Sequence, residues 1–157
     1  MNTQLDRIVE KAKADRKVRF TSLAHLLTPA CLRETWGMLN KRGAAGVDGE
    51  TVKEYEEHLD ERLAELHKRL KRGAYKAPPV RRVDIPKDNG KMRKLGIPTV
   101  EDRLLQAAVA RILGSLYEPL FLDCSYGYRP GKNAHDALRT LRSHLISKQI
   151  MHVLEAD

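Results

Sequence analysis

PVRRVDIPKDNGKMRKLGIPTVEDR, residues 79–103, holds two short runs of alternating apolar and charged residues on either side of Asp88, Asn89 and Gly90. Val80, Val83 and Ile85 mark the first run, and Met92, Leu95 and Ile97 mark the second. With turn residues between them, the spacing predicts a β-hairpin. Pro86 and Pro98 stiffen its base and hold Lys87 at a defined place. The stretch and its approach are strongly basic. From Lys71 to Lys94 nine basic residues (Lys71, Arg72, Lys76, Arg81, Arg82, Lys87, Lys91, Arg93, Lys94) stand against Asp84 and Asp88, while the whole chain carries a net charge of only +8. Alternation along a strand divides the cluster between two faces, Arg81 and Val83 against Arg82 and Asp84, so only part of it can converge on one ligand. Charge alone leaves two readings open: a solvated edge whose lysines deter aggregation, and a phosphate-binding surface. On the second reading Lys87 supplies a point charge and Arg93, across the turn, a forked contact.

Helices flank the hairpin on both sides. Downstream, Thr99 with Asp102 resembles a capping box, ahead of a helix whose Leu104, Leu105, Ala108, Val109, Ile112, Leu113 and Leu116 make a face wide enough to be largely buried. Upstream, Val52, Tyr55, Leu59, Leu63, Leu66 and Leu70 draw one apolar stripe, which predicts a single long helix closed by Gly73. The loop before it, GAAGVDG (43–49), has three glycines in seven residues and lies beside Lys41 and Arg42. Thr28 and Pro29 open an earlier helix with Leu32, Trp36 and Leu39 on one face and Gly43 as its stop. Leu5, Ile8, Val9 and Ala12 predict a first helix within residues 1–16. Toward the other end, a loop rich in Pro, Gly and Tyr leads into a helix with Ala134, Ala137, Leu138, Leu141 and Leu145, and MHVLEAD (151–157) reads as a strand ending on Asp157. The order helix, helix, helix, hairpin, helix, helix, strand predicts an α+β fold, mostly helical, with its sheet unfinished.

The 157 residues, 41% hydrophobic and 32% charged, suit one globular domain rather than a disordered or membrane chain. No apolar run reaches membrane-spanning length and the first residues lack a signal-peptide core, so a cytoplasmic protein without a membrane partner is expected. Cys31 and Cys124 lack metal-ligand spacing and are expected to be free, buried thiols. His135 and Asp136, adjacent on a helix, do not face each other as a catalytic pair would. No phosphate-binding P-loop and no nucleophile elbow is present. The excess positive charge makes nucleic acid the first partner to consider. SYGYRPGKNAHDALR (125–139) offers a second candidate: Arg129 and Lys132 before a helix N-terminus suit a backbone phosphate, and Tyr126 and Tyr128 can stack on a base or ribose. Against this stands a plain helix entry with tyrosines as core anchors. GAAGVDGET, with Lys41 and Arg42 beside it, is readable as another nucleic-acid loop, but its residues alone favour an ordinary interhelical connection.

Together, GAAGVDGETVKEYE, PVRRVDIPKDNGKMRKLGIPTVEDRLLQ, EPLFLDCSYGYRPGKNAHDALR and the terminal VLEAD resemble, in order and approximate spacing, the start of group II intron reverse transcriptases. These are bacterial RNA-directed DNA polymerases with maturase activity. The motifs occupy most of residues 28–157, and RKVRFTSLAHLLTPACLRETW is similar to the opening of many such proteins. The resemblance implies a right-hand polymerase, of which this chain carries the fingers and the start of the palm. Residues 1–27 would form an N-terminal helical extension, 28–150 the fingers with the hairpin at about 79–98, and 151–157 a truncated first palm strand. It implies that Lys87 and Arg93 contact the triphosphate of an incoming dNTP, with Arg81 nearby. It places Lys41, Arg42, Gly43 and Gly46 against the template RNA, and Tyr126, Tyr128, Arg129 and Lys132 around the template and nucleotide pocket. Asp157 matches the first catalytic carboxylate and would bind Mg2+. Two-metal nucleotidyl transfer requires several converging carboxylates, and the later ones are absent from this sequence. The expectation is therefore an N-terminal fragment, inactive alone, whose parent engages group II intron RNA, a template with its DNA primer, and dNTP in the bacterial cytoplasm. The rival readings are a non-catalytic RNA-binding module and a degraded gene remnant.

Overall fold

The computed structural model describes residues 3–15, 17–88, 90–147, 150, 152 and 154. Among these, α1 (Thr3–Ala14), α2 (Pro29–Met38), α3 (Val52–Glu57) and α4 (Leu59–Lys71) precede a hairpin of β1 (Arg81–Pro86) and β2 (Met92–Ile97). Helices α5 (Val100–Tyr117) and α6 (Ala134–Ser147) follow it. The fold is thus α+β, mostly helical, with one two-stranded antiparallel sheet among the described residues. Two compact units divide the chain, Met1–Leu116 and Tyr117–Asp157.

Local chemistry explains the element boundaries of the first unit. The Thr28 hydroxyl accepts the Cys31 amide at 3.2 Å and Pro29 takes the first helical position, so α2 begins where the sequence predicts. It ends earlier than predicted, at Met38 rather than near Gly43, because Leu39 already turns extended (φ −69°, ψ 138°). The stripe from Val52 to Leu70 proves to be two helices. His58, at φ −119° and ψ 33°, interrupts it and starts a new N-terminus with Asp60 and Glu61 in its first turn, where acidic side chains favour the helix dipole. Periodicity is blind to this break, since Tyr55, Leu63 and Leu66 all stay on the buried side. Gly73 closes α4 as predicted: at φ +66° it donates to the Leu70 carbonyl at 3.1 Å, while Ala74 donates to that of Arg69 at 2.9 Å, a Schellman arrangement.

Leu26, Leu32, Trp36, Tyr55, Leu63, Leu66, Val100, Leu104 and Ala108 make one core in this unit. Trp36 and Tyr55 pack with ring centroids 5.2 Å apart. Arg111 ties α5 to α2 by donating to the Thr35 hydroxyl at 2.7 Å and to Glu34 at 3.3 Å. The buried face of α5 is narrower than expected, because Val109 and Leu113 remain 37% and 39% exposed. The Thr99–Asp102 box is made only on one side. Asp102 donates its amide to the Thr99 hydroxyl, but its carboxylate accepts from Tyr75 at 2.9 Å and Gln106 at 2.7 Å instead of returning to the cap.

In the second unit α6 buries none of its residues, and Leu138, Leu141 and Leu145 of its apolar face are exposed. The expected terminal strand, Asp157 included, lies outside the described residues apart from His152 and Leu154, neither of which is in a strand. The thiols differ from expectation in one respect: Cys31 is buried, whereas Cys124 is exposed. No helix among the described residues is long and apolar enough to cross a membrane.

Candidate nucleic-acid interface

The hairpin register sorts the basic cluster by face. Arg81 pairs with Ile97, Val83 with Leu95 and Ile85 with Arg93, while Arg82 pairs with Gly96, Asp84 with Lys94 and Pro86 with Met92. Because partners in register share a face, one side carries Arg81 and Arg93 around Val83, Ile85, Leu95 and Ile97. The other carries Arg82, Lys94 and the carboxylate of Asp84, which approaches Arg82 at 4.0 Å. The acid thus offsets charge on the second face and leaves the first face purely cationic and apolar. Gly90, at φ +74°, donates to the Lys87 carbonyl, and the Lys87 amide donates to that of Lys91 at 2.7 Å, which fixes where Lys87 leaves the strand.

Ile85, Pro86, Lys87, Asp88, Arg93 and Leu95 line one concavity of about 560 Å³. Lys87 and Arg93 thus line the same concavity, and among the described residues neither side chain has an ion-pair partner. Ile85 and Leu95, 42% and 41% exposed, give the same concavity an apolar wall. Two cations beside an exposed apolar surface suit a ligand with phosphates and a flat apolar part, which is the chemistry of a nucleotide. Arg81 stands apart from these two: its Nε donates to the Ala45 carbonyl at 3.0 Å.

That bond also anchors the glycine loop. Arg103 donates to the Ala44 carbonyl at 2.8 Å, so two arginines hold Ala44 and Ala45 against the hairpin base and α5. Gly46 is buried, and a Cβ there would lie 2.6 Å from the Thr99 Cα and 2.7 Å from its nitrogen; close backbone approach requires the glycine. At Gly43 a Cβ would meet only the guanidinium of Arg103. Lys41 pairs with Glu56 and lies 5.3 Å from the Trp36 ring centroid, and this pairing, together with the Trp36 indole, pulls the Glu56 pKa below the usual carboxylate range. Lys41 is thus held against α3, while the Arg42 side chain stays exposed. A feature the sequence reading passed over sits beside the loop. Thr51 and Glu54 form a full capping box at α3, legible as Thr-x-x-Glu before an apolar stripe.

In the second unit the predicted phosphate site is organised differently. Arg129 does not face a ligand. Its side chain is 8% exposed, its Nε and Nη2 donate to Glu118 at 3.1 and 2.8 Å, and its Nη1 donates to the carbonyls of Leu122 and Ser125 at 2.8 and 2.9 Å. The guanidinium also stacks 5.2 Å from the Phe121 ring centroid, and the Glu118 carboxylate raises its pKa. The helix N-terminus is likewise engaged, since the Asn133 side chain accepts the Asp136 amide at 3.0 Å. Tyr126 is half-buried, with its hydroxyl donating to Thr140 at 2.7 Å and Lys132 5.2 Å from its ring centroid. Tyr128 is the opposite case, fully exposed and held at φ +56°. For a non-glycine residue that left-handed conformation costs about 1–2 kcal/mol. Local spacing gives no signal for the Arg129–Glu118 pair, because the two stand eleven positions apart with no continuous helix or strand between them.

Among the described residues no group of three or more His, Cys, Asp or Glu side chains could hold a metal ion. The expected ligand Asp157 lies outside them.

No protein-family model matches the chain. Among curated proteins, the chain is 38% identical over 140 residues to the group II intron-encoded protein LtrA of Lactococcus lactis, a match that covers 88% of this chain and 23% of the relative. It is 38% identical over 138 residues to protein YkfC of Escherichia coli, covering 85% of this chain and 36% of the relative. A shorter match, 36% over 58 residues, covers 35% of the chain and 8% of nuclear intron maturase 1 of Arabidopsis thaliana. The chain therefore spans about a quarter of the length of the first and just over a third of the second.

Proposed function

From the premise that the chain is 38% identical over most of its length to a group II intron-encoded protein, we propose that it is the nucleotide- and template-binding part of an RNA-directed DNA polymerase. Lys87 and Arg93 take the triphosphate of an incoming dNTP in the hairpin concavity. Arg81 acts beside them by holding the glycine loop. Arg42, with the loop from Gly43 to Gly49, lies against the template RNA, and group II intron RNA binds the same basic surfaces. Magnesium enters this reading through Asp157, alongside carboxylates that the chain does not supply. On that account the 157-residue chain incorporates no nucleotide by itself.

One observation carries the reading: Lys87 and Arg93, without ion-pair partners among the described residues, line one concavity with the apolar Ile85 and Leu95 and with Asp88. A solvated edge hairpin needs neither the convergence nor the wall. The test is calorimetric titration of the purified chain with a dNTP and, separately, with a structured group II intron RNA. Lys87→Ala and Arg93→Ala are each expected to weaken dNTP binding about tenfold, the scale of a lost charge-assisted hydrogen bond. Intron RNA affinity should change less than about twofold, because many phosphate contacts share that interaction. Equal loss of both ligands would favour a non-catalytic RNA-binding module, and absence of dNTP binding by the unaltered chain would sink the proposal.

A further inference from the structure

Arg129 looks in sequence like a phosphate ligand, yet its guanidinium is spent inside its own loop. The residue before it is the reverse: Tyr128 is fully exposed and carries the one positive φ among the described non-glycine residues. We infer that Arg129 is a positioning residue, which with Glu118 locks the turn and holds the Tyr128 ring outward as a stacking platform for an unpaired nucleobase. The inference rests on the nucleic-acid reading given above and assigns the base-contacting part of that interaction to Tyr128.

The geometry supports it in three ways. Arg129 gathers Glu118, Leu122 and Ser125 onto one rigid, planar group, so the chain from 118 to 129 is closed by a side chain rather than by regular structure. Phe121 covers one side of that group, which shields it from solvent. With Arg129 pinned and Pro130 following, Tyr128 is left in the left-handed region, and Gly131 at φ +73° completes the reversal. A ring that serves the core would be buried, as Tyr55 is. Tyr128 is not, and every base offers a π-face on which such a ring can stack.

The experiment uses the 157-residue chain and two fluorescein-labelled probes, a twelve-residue oligoadenylate and an abasic oligomer of the same length, with affinities measured over a range of salt. Tyr128→Ala is expected to weaken oligoadenylate binding about tenfold, within the range for loss of one base–aromatic stack, and to leave the abasic probe unchanged. Arg129→Ala should give the same loss on oligoadenylate, and the double variant should lose no more than either single one. The salt slope should stay constant, whereas a true phosphate ligand would lower it by about 0.7. Glu118→Gln, which keeps the side chain's length but removes its charge and one acceptor oxygen, should give a smaller loss of the same kind if Arg129→Ala unfolds the unit. A fall in salt slope with Arg129→Ala, or equal losses on both probes, would make Arg129 a phosphate contact and overturn the inference. Unchanged oligoadenylate binding by Tyr128→Ala would overturn it too. The dNTP titration, which reads Lys87 and Arg93, would stand apart from either result.

Discussion

At Gly46 a single added methyl group meets the backbone of Pro98 and Thr99. The nearest atoms belong to the main chain of Thr99, which cannot swing away as a side chain can. Gly46→Ala is therefore expected to destabilise the chain by about 1–3 kcal/mol. Gly114, inside α5 with nothing within 4 Å of an added Cβ, is the control, and Gly114→Ala should stabilise by about 1 kcal/mol. Chemical denaturation of the two variants checks both signs, and destabilisation of similar size in the two would show that the Thr99 contact does not decide the effect. The same scale shows where sequence reading stops. Gly46 is legible as a glycine in an unusual loop, but the reason for it, the backbone of Thr99 more than fifty positions away, is a fact of packing. Arg129 is the sharper case, since its basic charge points to phosphate until Glu118 and two carbonyls are seen to take it up.

Elements with strong periodicity or turn chemistry were readable in advance. The hairpin was legible from alternating apolar residues around a polar turn, and α2 and α4 from Thr28, Pro29 and Gly73 at their ends. The break at His58 was not, because Val52, Tyr55, Leu63 and Leu66 keep one buried line through both helices. The capping box that begins α3 gives this short helix a distinct acid sensitivity. Glu54 accepts the Thr51 amide, and this hydrogen bond holds its pKa below the usual carboxylate range. A carboxyl with a lowered folded pKa adds stability above its unfolded value, about 4.3 for glutamate, and loses that stability as pH falls through the folded value. Amide exchange in α3 should thus accelerate in that acid window before the exchange of α4 does. Thr51→Ala should produce the acceleration already at neutral pH, with a loss of about 1 kcal/mol. Unchanged exchange in Thr51→Ala would mean that packing of Val52 and Tyr55 holds α3 without its cap.

The whole molecule is unequal in its two units. The first has a continuous core from Leu26 to Ile112, whereas the second has no buried hydrophobic residue among those described and leaves Leu138, Leu141 and Leu145 open to solvent. Composition could not reveal this, because α6 has the apolar stripe of an ordinary packed helix. Stability follows buried contact, so the second unit is expected to open at lower free energy than the first. The two cysteines happen to be divided between them. Cys124, exposed in the second unit, meets a thiol reagent without any opening, while Cys31, 1% exposed in the first and with its thiol pKa pushed up by burial, must wait for its surroundings to unfold. Mixed with a chromogenic disulfide, the native chain should release one equivalent of chromophore promptly and a second slowly, at a rate set by opening of the Cys31 site. Two prompt equivalents would show that the first core is open in solution. The chain thus carries a two-hand clock, one thiol marking the start of the reaction and the other timing the breathing of its core.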